Sequence, residues 1–192
     1  KNFNIIYLMN IYTTNECPII SAQEMCDKHV VKMIVEYAQL MSTAHRVLDG
    51  REYEGRTLLN RRIKRWLHPD KNMEQVLYKA SHIKHPSGLW CRTTTANYRW
   101  LYRHFIAACN EYTHRYGKVH LTEIKLAKVF KNPPKNLPKG KQTEFAVAIA
   151  ADQTCRQVPG FNSLNPVDKY KQYIINDKPF AVWTNRQQPI WY

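Results

Sequence analysis

The sequence predicts a mainly α fold: a single compact multi-helix domain over residues 1–192, with a short extended N-terminal arm and an aromatic C-terminal tail. Three observations carry that expectation. Apolar residues recur at helical spacing through two long stretches, 26–48 and 93–117. Capping residues, glycines and prolines fall where helices should start and stop. A 192-residue chain that is 44% hydrophobic with only six glycines can bury one ordered core, and it contains no internal repeat and no domain linker.

Taken in order, "YLMNIYT" (7–13) reads as a short opening strand or extended arm. Ser21 and Glu24 form a capping box that should open a helix running to about Leu48 and stopping at Asp49-Gly50. The very basic segment 50–71 should be exposed, with one short helix around Leu58–Leu67. Asn72 and Gln75 suggest a second capping box and a helix to about His82. "HIKHPSGLW" (82–90) reads as a loop punctuated by Pro86 and Gly88. The next stretch is the clearest helix, with Tyr98, Leu101, Tyr102, Phe105, Ile106 and Cys109 at core spacing and Gly117 placed to end it in the left-handed conformation. A helix over about Thr122–Lys131 follows, then the Pro-rich basic loop "KNPPKNLPKGKQ". "FAVAIAAD" (145–152) fits either a strand or a buried helix. Asn165-Pro166 should start a last helix through about Ile175, and the aromatic tail should pack as an arm.

Composition bounds the function. Twenty-nine Lys and Arg against 15 Asp and Glu leave a net charge of +14, which favours a polyanion, because each neutralised phosphate releases condensed counterions. Double-stranded DNA is the expected partner. No apolar run reaches the roughly 18 residues of a membrane span, and no secretory signal is evident. Five cysteines at irregular spacings fit reduced thiols in a cytoplasm better than a disulfide framework. A monomer without cofactor or metal is expected.

The helix from Cys26 carries a polar strip about 100° wide: Lys28, His29, Lys32, Glu36, Gln39, Thr43 and Arg46, with Val30, Val31, Met33, Ile34, Tyr37, Ala38, Leu40 and Met41 on the remaining arc. Such a strip lines a cleft or forms an exposed edge. Within it Glu36 lies one turn beyond Lys32 and two beyond His29, so it should stay ionised and be able to stabilise a cation or activate water. Asp27 points into the apolar arc and should tie helices together through Arg, His or backbone N–H groups.

These residues resemble a known family. Asp27-Lys28-His29, with Glu36 seven residues after the histidine and Tyr37 beside it, resembles the first helix of phage pyrimidine-dimer DNA glycosylases of the endonuclease V type. Glu111 and Arg115 near Gly117 resemble the end of that family's second helix, and "KYKQYIINDK" (169–178) its aromatic, Lys-containing C-terminal stretch. The resemblance implies that Glu36 is catalytic. The family's nucleophile is the α-amine of its mature N-terminus, whereas here Lys1 begins the chain and "MNIY" starts at Met9; Val35 and Gln39 stand where the family has arginines. A glycosylase without efficient strand cleavage is therefore expected. The whole chain is also similar to a wider set of phage-associated proteins, among which we include glycosylases that remove bulky modified cytosines from phage DNA in bacterial antiviral defence.

A glycosylase must extrude a base, hold it and stabilise a cationic sugar. Glu36 supplies the carboxylate, with His29 and Lys32 tuning or positioning it. The expected substrate contacts are His82, His85, Ser87, Trp90 and Arg92 in one irregular segment, Tyr98 on the long helix, and Lys118, His120, Lys135, Lys139 and Lys141 toward phosphates. Trp90 and Tyr98 have core packing as the competing assignment. A zinc site from Cys26, His29, His82, His85 and Cys91 lacks matched ligand pairs. The rival from another class is a non-catalytic nucleic-acid-binding protein that uses charge and stacked aromatics alone.

Overall fold

The computed structural model describes residues 9–192. Among them are seven α-helices, one two-stranded hairpin and two short 3₁₀ turns, so the mainly α expectation holds. The part of the opening strand at 7–8 lies outside the described residues, and residues 9–13 have no regular secondary structure although they are buried.

Two long helices, α2 (Asp27–Asp49) and α5 (Thr95–Tyr116), form the centre. Met33, Ile34, Tyr37, Leu40 and Met41 of α2 and Tyr98, Trp100, Leu101 and Phe105 of α5 are almost wholly buried, so these two apolar stripes supply most of the core. Each helix ends where its chemistry requires. The Thr94 side chain accepts from the Asn97 N–H at the start of α5, and Gly117 takes the left-handed conformation (φ 65°) at its end. At the end of α2 a Cβ on Gly50 would lie 2.4 Å from the Arg46 carbonyl oxygen, so only glycine lets the chain leave so close to the helix.

Around this pair sit α1 (Pro18–Gln23), α4 (Pro86–Cys91), α6 (Leu121–Phe130) and α7 (Pro166–Asp177). The Ser21/Glu24 capping box is not formed. Ser21 lies inside α1, where its hydroxyl donates to the Tyr12 carbonyl and accepts from the Thr14 N–H; α2 starts separately after Cys26. Asp70, not Asn72, caps α3 (Lys71–Val76), accepting from the Asn72 and Met73 N–H groups. That helix ends well short of His82, because Arg46 collects the carbonyls of Glu74, Leu77 and Tyr78. The loop expected at 82–90 folds into α4 from Pro86, with the His85 ring nitrogen accepting from the Ser87 N–H.

The largest departure is the segment 51–67, a hairpin rather than a helix. β1 (Arg51–Arg56) pairs antiparallel with β2 (Arg62–Leu67), in register from Arg51 opposite Leu67 to Arg56 opposite Arg62. Diagonal ion pairs support it, Glu52–Lys64 at 2.7 Å and Glu54–Arg62 at 3.4 Å. Asn60 turns the chain in the left-handed region (φ 57°). "FAVAIAAD" is neither strand nor helix. Side chains satisfy much of its backbone instead: Tyr170 receives the Ala148 N–H, Asn10 donates to the Ala148 carbonyl, and Arg156 donates to the Ile149 and Ala150 carbonyls.

The C-terminal tail is stitched to the entry of α2. The Asp27 N–H donates to the Val182 carbonyl, the Trp183 indole to the Glu24 carbonyl, and Thr184 to the Asp27 carboxylate. Asp27 therefore ties elements together as its position suggested. Arg115, with a fully buried side chain, bridges Asp27 (2.8 Å) to Glu111 (2.7 Å), which also holds Arg186 of the tail. Burial opposes ionisation of Asp27 and Glu111, yet hydrogen bonds and these cations outweigh it and hold both below their ordinary values.

Candidate active site around Glu36

The polar strip of α2 divides in two. Its C-terminal half is a clamp: Gln39 donates to the Lys79 carbonyl at 2.7 Å, Thr43 accepts from the Ser81 N–H, and Arg46 anchors 74–78. Thr43 and Arg46 are buried, so this half is not a solvated edge. Val31, assigned to the buried arc, is 43% exposed instead. The N-terminal half lines a site centred on Glu36.

Glu36 is only 8% exposed. Lys32 Nζ lies 3.0 Å from Oε1, one helical turn back, and the Asn10 backbone N–H donates to Oε2 at 3.2 Å. Asn10 cannot drift: its side-chain amide donates to the Ala148 carbonyl, and its Oδ1 accepts from the Ile11 N–H and the Tyr170 hydroxyl. Burial raises the Glu36 pKa. The Lys32 ammonium, the Asn10 N–H and the charge of His82 pull the other way without cancelling it. The carboxylate flanked by cations is thus less acidic than the flanking charges alone imply, because desolvation is the larger effect.

Tyr12 forms the next layer. It holds the left-handed conformation (φ 47°), stacks on His29 with ring centroids 4.1 Å apart, and lies 5.9 Å from Tyr173 in a parallel arrangement. His29 is buried and driven down to about 3, by desolvation and then by Lys178 and Lys32, so it is neutral near pH 7. Its Nδ1 has no hydrogen-bond partner among the described residues. Lys178 donates to the Tyr173 hydroxyl at 2.8 Å, and Lys28 sits 4.5 Å from the Phe180 ring centre. His82, exposed and also left-handed (φ 49°), is close enough for its charge to favour the ionised carboxylate. Two non-glycine residues in this conformation beside one carboxylate mark strain that the surroundings must hold in place.

The arrangement offers a desolvated carboxylate of raised pKa, a paired ammonium, a fixed backbone N–H donor and an aromatic wall. It can stabilise a developing cation and accept a proton from water. The Asn10 nitrogen that donates to Glu36 is a peptide nitrogen, whose lone pair is delocalised into the carbonyl and is not a nucleophile.

Of the sequence-derived set, Glu36, His29, Lys32 and His82 come together. Arg92 instead braces the segment before α4, donating to the Gly88 and Ile83 carbonyls. Ser87 is fully buried. Trp90 packs against Trp100 and Phe145, and Tyr98 is buried with its hydroxyl 2.8 Å from His45, so both take the core assignment. His85 and His120 cap helices. Lys118, Lys139 and Lys141 are exposed, and the Lys135 N–H is held by Asp49 at the far end of α2, about 20 Å of helix from Glu36. Sequence reasoning missed Asn10, Tyr12 and Phe180 as members of the site. Tyr173 and Lys178 lay within the stretch quoted for the family resemblance, without an assigned role.

Among the described residues one cluster has metal-ligand spacing: His45, Asp49 and His68, whose donor atoms lie within 4.8 Å of one another. It borders a cavity of about 540 Å³ that also touches Met73, Val129 and Pro133. His68 Nδ1 accepts from the Asp70 N–H, which leaves the proton on Nε2 and no lone pair there for a metal. The zinc set of Cys26, His29, His82, His85 and Cys91 does not assemble. No helix among the described residues is long and apolar enough to cross a membrane. No protein-family model, no curated protein and no solved structure matches this chain.

Proposed function

We propose that the protein is a DNA glycosylase that removes a modified or damaged pyrimidine from double-stranded DNA, with a hypermodified cytosine of phage DNA as the substrate class we favour, acting as a cytoplasmic monomer without a cofactor. The observation that carries the reading is the buried Glu36 carboxylate, held by Lys32 and the Asn10 N–H, with an aromatic layer of Tyr12, Tyr173 and Phe180 assembled around His29 on the same helix. The bond from C1′ to the base nitrogen breaks and its electrons leave with the base. The oxocarbenium-like sugar is stabilised by the ionised Glu36, which then takes a proton from the water that adds to C1′. The departing base anion takes up that proton from Glu36, directly or through solvent, which returns Glu36 to its ionised form, and the strand keeps an intact abasic site.

Lys32 holds Glu36 in place, and neutral His29 keeps Tyr12 upright against the aromatic wall. Mass spectrometry of bases released from modified phage genomic DNAs and from irradiated DNA tests the reading. Glu36→Gln should abolish release while sparing binding. The basic, projecting hairpin favours a second reading, a non-catalytic DNA-binding protein, for which Glu36→Gln would change nothing and no base would appear.

A further inference from the structure

The hairpin 51–67 places no residue in the buried core and none among the partly buried hydrophobics packed against it. It is joined to the body at its base, where Arg46 donates to the Trp66 carbonyl. Strands of six residues carry its tip about 20 Å outward. At that tip stand two adjacent leucines, Leu58 at 106% and Leu59 at 76% exposed. Six cations against two carboxylates line the strands and turn, and the ion pairs neutralise only Lys64 and Arg62. Arg51, Arg56, Arg61 and Arg65 have no carboxylate partner among the described residues. Arg56 is nonetheless fixed, donating to the Asn60 carbonyl at 3.1 Å across the turn.

Position gives this element a purpose. Glu52 and Trp66 near its base and Ile63 and Lys64 farther along form one wall of a cleft whose other wall is residues 80–84. That second wall is fixed to α2, where Gln39 donates to the Lys79 carbonyl and Thr43 accepts from the Ser81 N–H, one and two turns beyond Glu36. The hairpin therefore shares a cleft with a segment that lies along α2 within two turns of Glu36.

We infer that the hairpin is a duplex-opening wedge: Leu58 and Leu59 enter the base stack of double-stranded DNA next to the target nucleotide while Arg56 and Arg61 hold the flanking phosphates. This rests on the glycosylase reading. Two leucines are far too small a surface for a stable protein interface, which needs about 1,200 Å² or more in total. They suit a base step, where apolar side chains commonly insert and unstack a duplex that cations already grip. Extruding a base costs a few kcal/mol for unstacking, and a wedge that fills the gap offsets part of that cost.

The test uses the full chain and a duplex carrying 2-aminopurine beside a single mismatched pyrimidine. Wild type and Glu36→Gln should both raise the 2-aminopurine fluorescence. Leu58→Ala/Leu59→Ala should not, while binding single-stranded DNA as wild type does; because both residues lie outside the core, its melting temperature should be unchanged. On a true substrate the double variant should release base from duplex about tenfold or more slowly, yet from a single strand at the normal rate. Equal fluorescence for the double variant and wild type, or none with wild type, overturns the wedge. So does a result in which the variant loses binding to anionic lipid vesicles and nothing else. Fluorescence that depends on the leucines without base release from any DNA would reject the glycosylase and keep the wedge.

Discussion

The Asn10 backbone N–H donates to the Glu36 carboxylate across 3.2 Å, joining residues 26 positions apart in the chain. That contact decides what the carboxylate can be. It is held by one N–H group and one ammonium in a buried setting, and burial leaves it easier to protonate than an ordinary glutamate. A group in that state stabilises a neighbouring cation strongly when ionised, since little water screens it.

Glu36→Gln should therefore separate chemistry from stability. Base release should fall about a hundredfold or more, the usual scale for losing a positioned proton acceptor. Because folding raises the Glu36 pKa, its ionised form costs stability at neutral pH, so the glutamine variant should melt higher than wild type. In wild type the rate should climb with pH through that raised pKa. A variant that melts lower and retains release would remove Glu36 from the mechanism.

Acid should weaken the fold before ordinary carboxylates titrate. His29 is pushed down to about 3 by burial, then Lys178 and Lys32. His45 and His104 are pushed down to about 4, chiefly by burial. Unfolded histidine titrates near about 6.5, so between that pH and about 4 the unfolded chain binds protons that the folded chain refuses. Stability should fall with pH across this window by up to about 1.4 kcal/mol per pH unit for each histidine. Glu36 and Glu123 act in the opposite sense, since burial raises both, but five histidines are lowered, His85 and His120 among them. Thermal melts from pH 7 to 4.5 check this, and a flat profile would contradict it.

Arg115→Ala should be among the most damaging single changes. It strips the cation from Asp27, which keeps only its Thr184 hydrogen bonds, and one of two cations from the nearly buried Glu111, a loss of about 3–5 kcal/mol for a buried ion network. Arg186→Ala, whose side chain is 28% exposed, leaves Glu111 paired to Arg115 and should cost only about 1 kcal/mol. Urea unfolding of the two variants compares them directly.

What was legible in the sequence follows from how local each cause is. The two faces of α2, the role of Asp27 and the left-handed stop at Gly117 depend on helical periodicity and one residue's stereochemistry, and all are present in the structure. The hairpin was misread because Leu58, Leu59 and Leu67 imitate helical spacing, while the decisive features are the turn at Asn60 and diagonal Glu–Lys and Glu–Arg pairs that exist only once the strands meet. Asn10, Tyr12 and Phe180 were not legible as site members. Their roles depend on contacts to Glu36, Tyr173, His29 and Lys28 made across the fold, and the strained conformation of Tyr12 has no sequence signature of its own.

Strand cleavage is the sharpest remaining test, because the two outcomes differ by a single bond. A Schiff base needs an amine lone pair, and borohydride reduction then leaves a covalent protein–DNA adduct. In the 192-residue chain the Asn10 nitrogen that donates to Glu36 is a peptide nitrogen, and among the described residues Lys32 Nζ lies 3.0 Å from the same carboxylate. Borohydride should therefore trap little or nothing, and substrate strands should break only on alkali treatment. A chain shortened to begin at Asn10 turns that same nitrogen into an α-amine within 3.2 Å of Glu36, and it should gain both trapping and strand cleavage. Efficient trapping by the full chain would defeat the prediction; its loss in Lys32→Ala would assign the amine to that side chain, and its loss on blocking the terminus would assign it to the first residue.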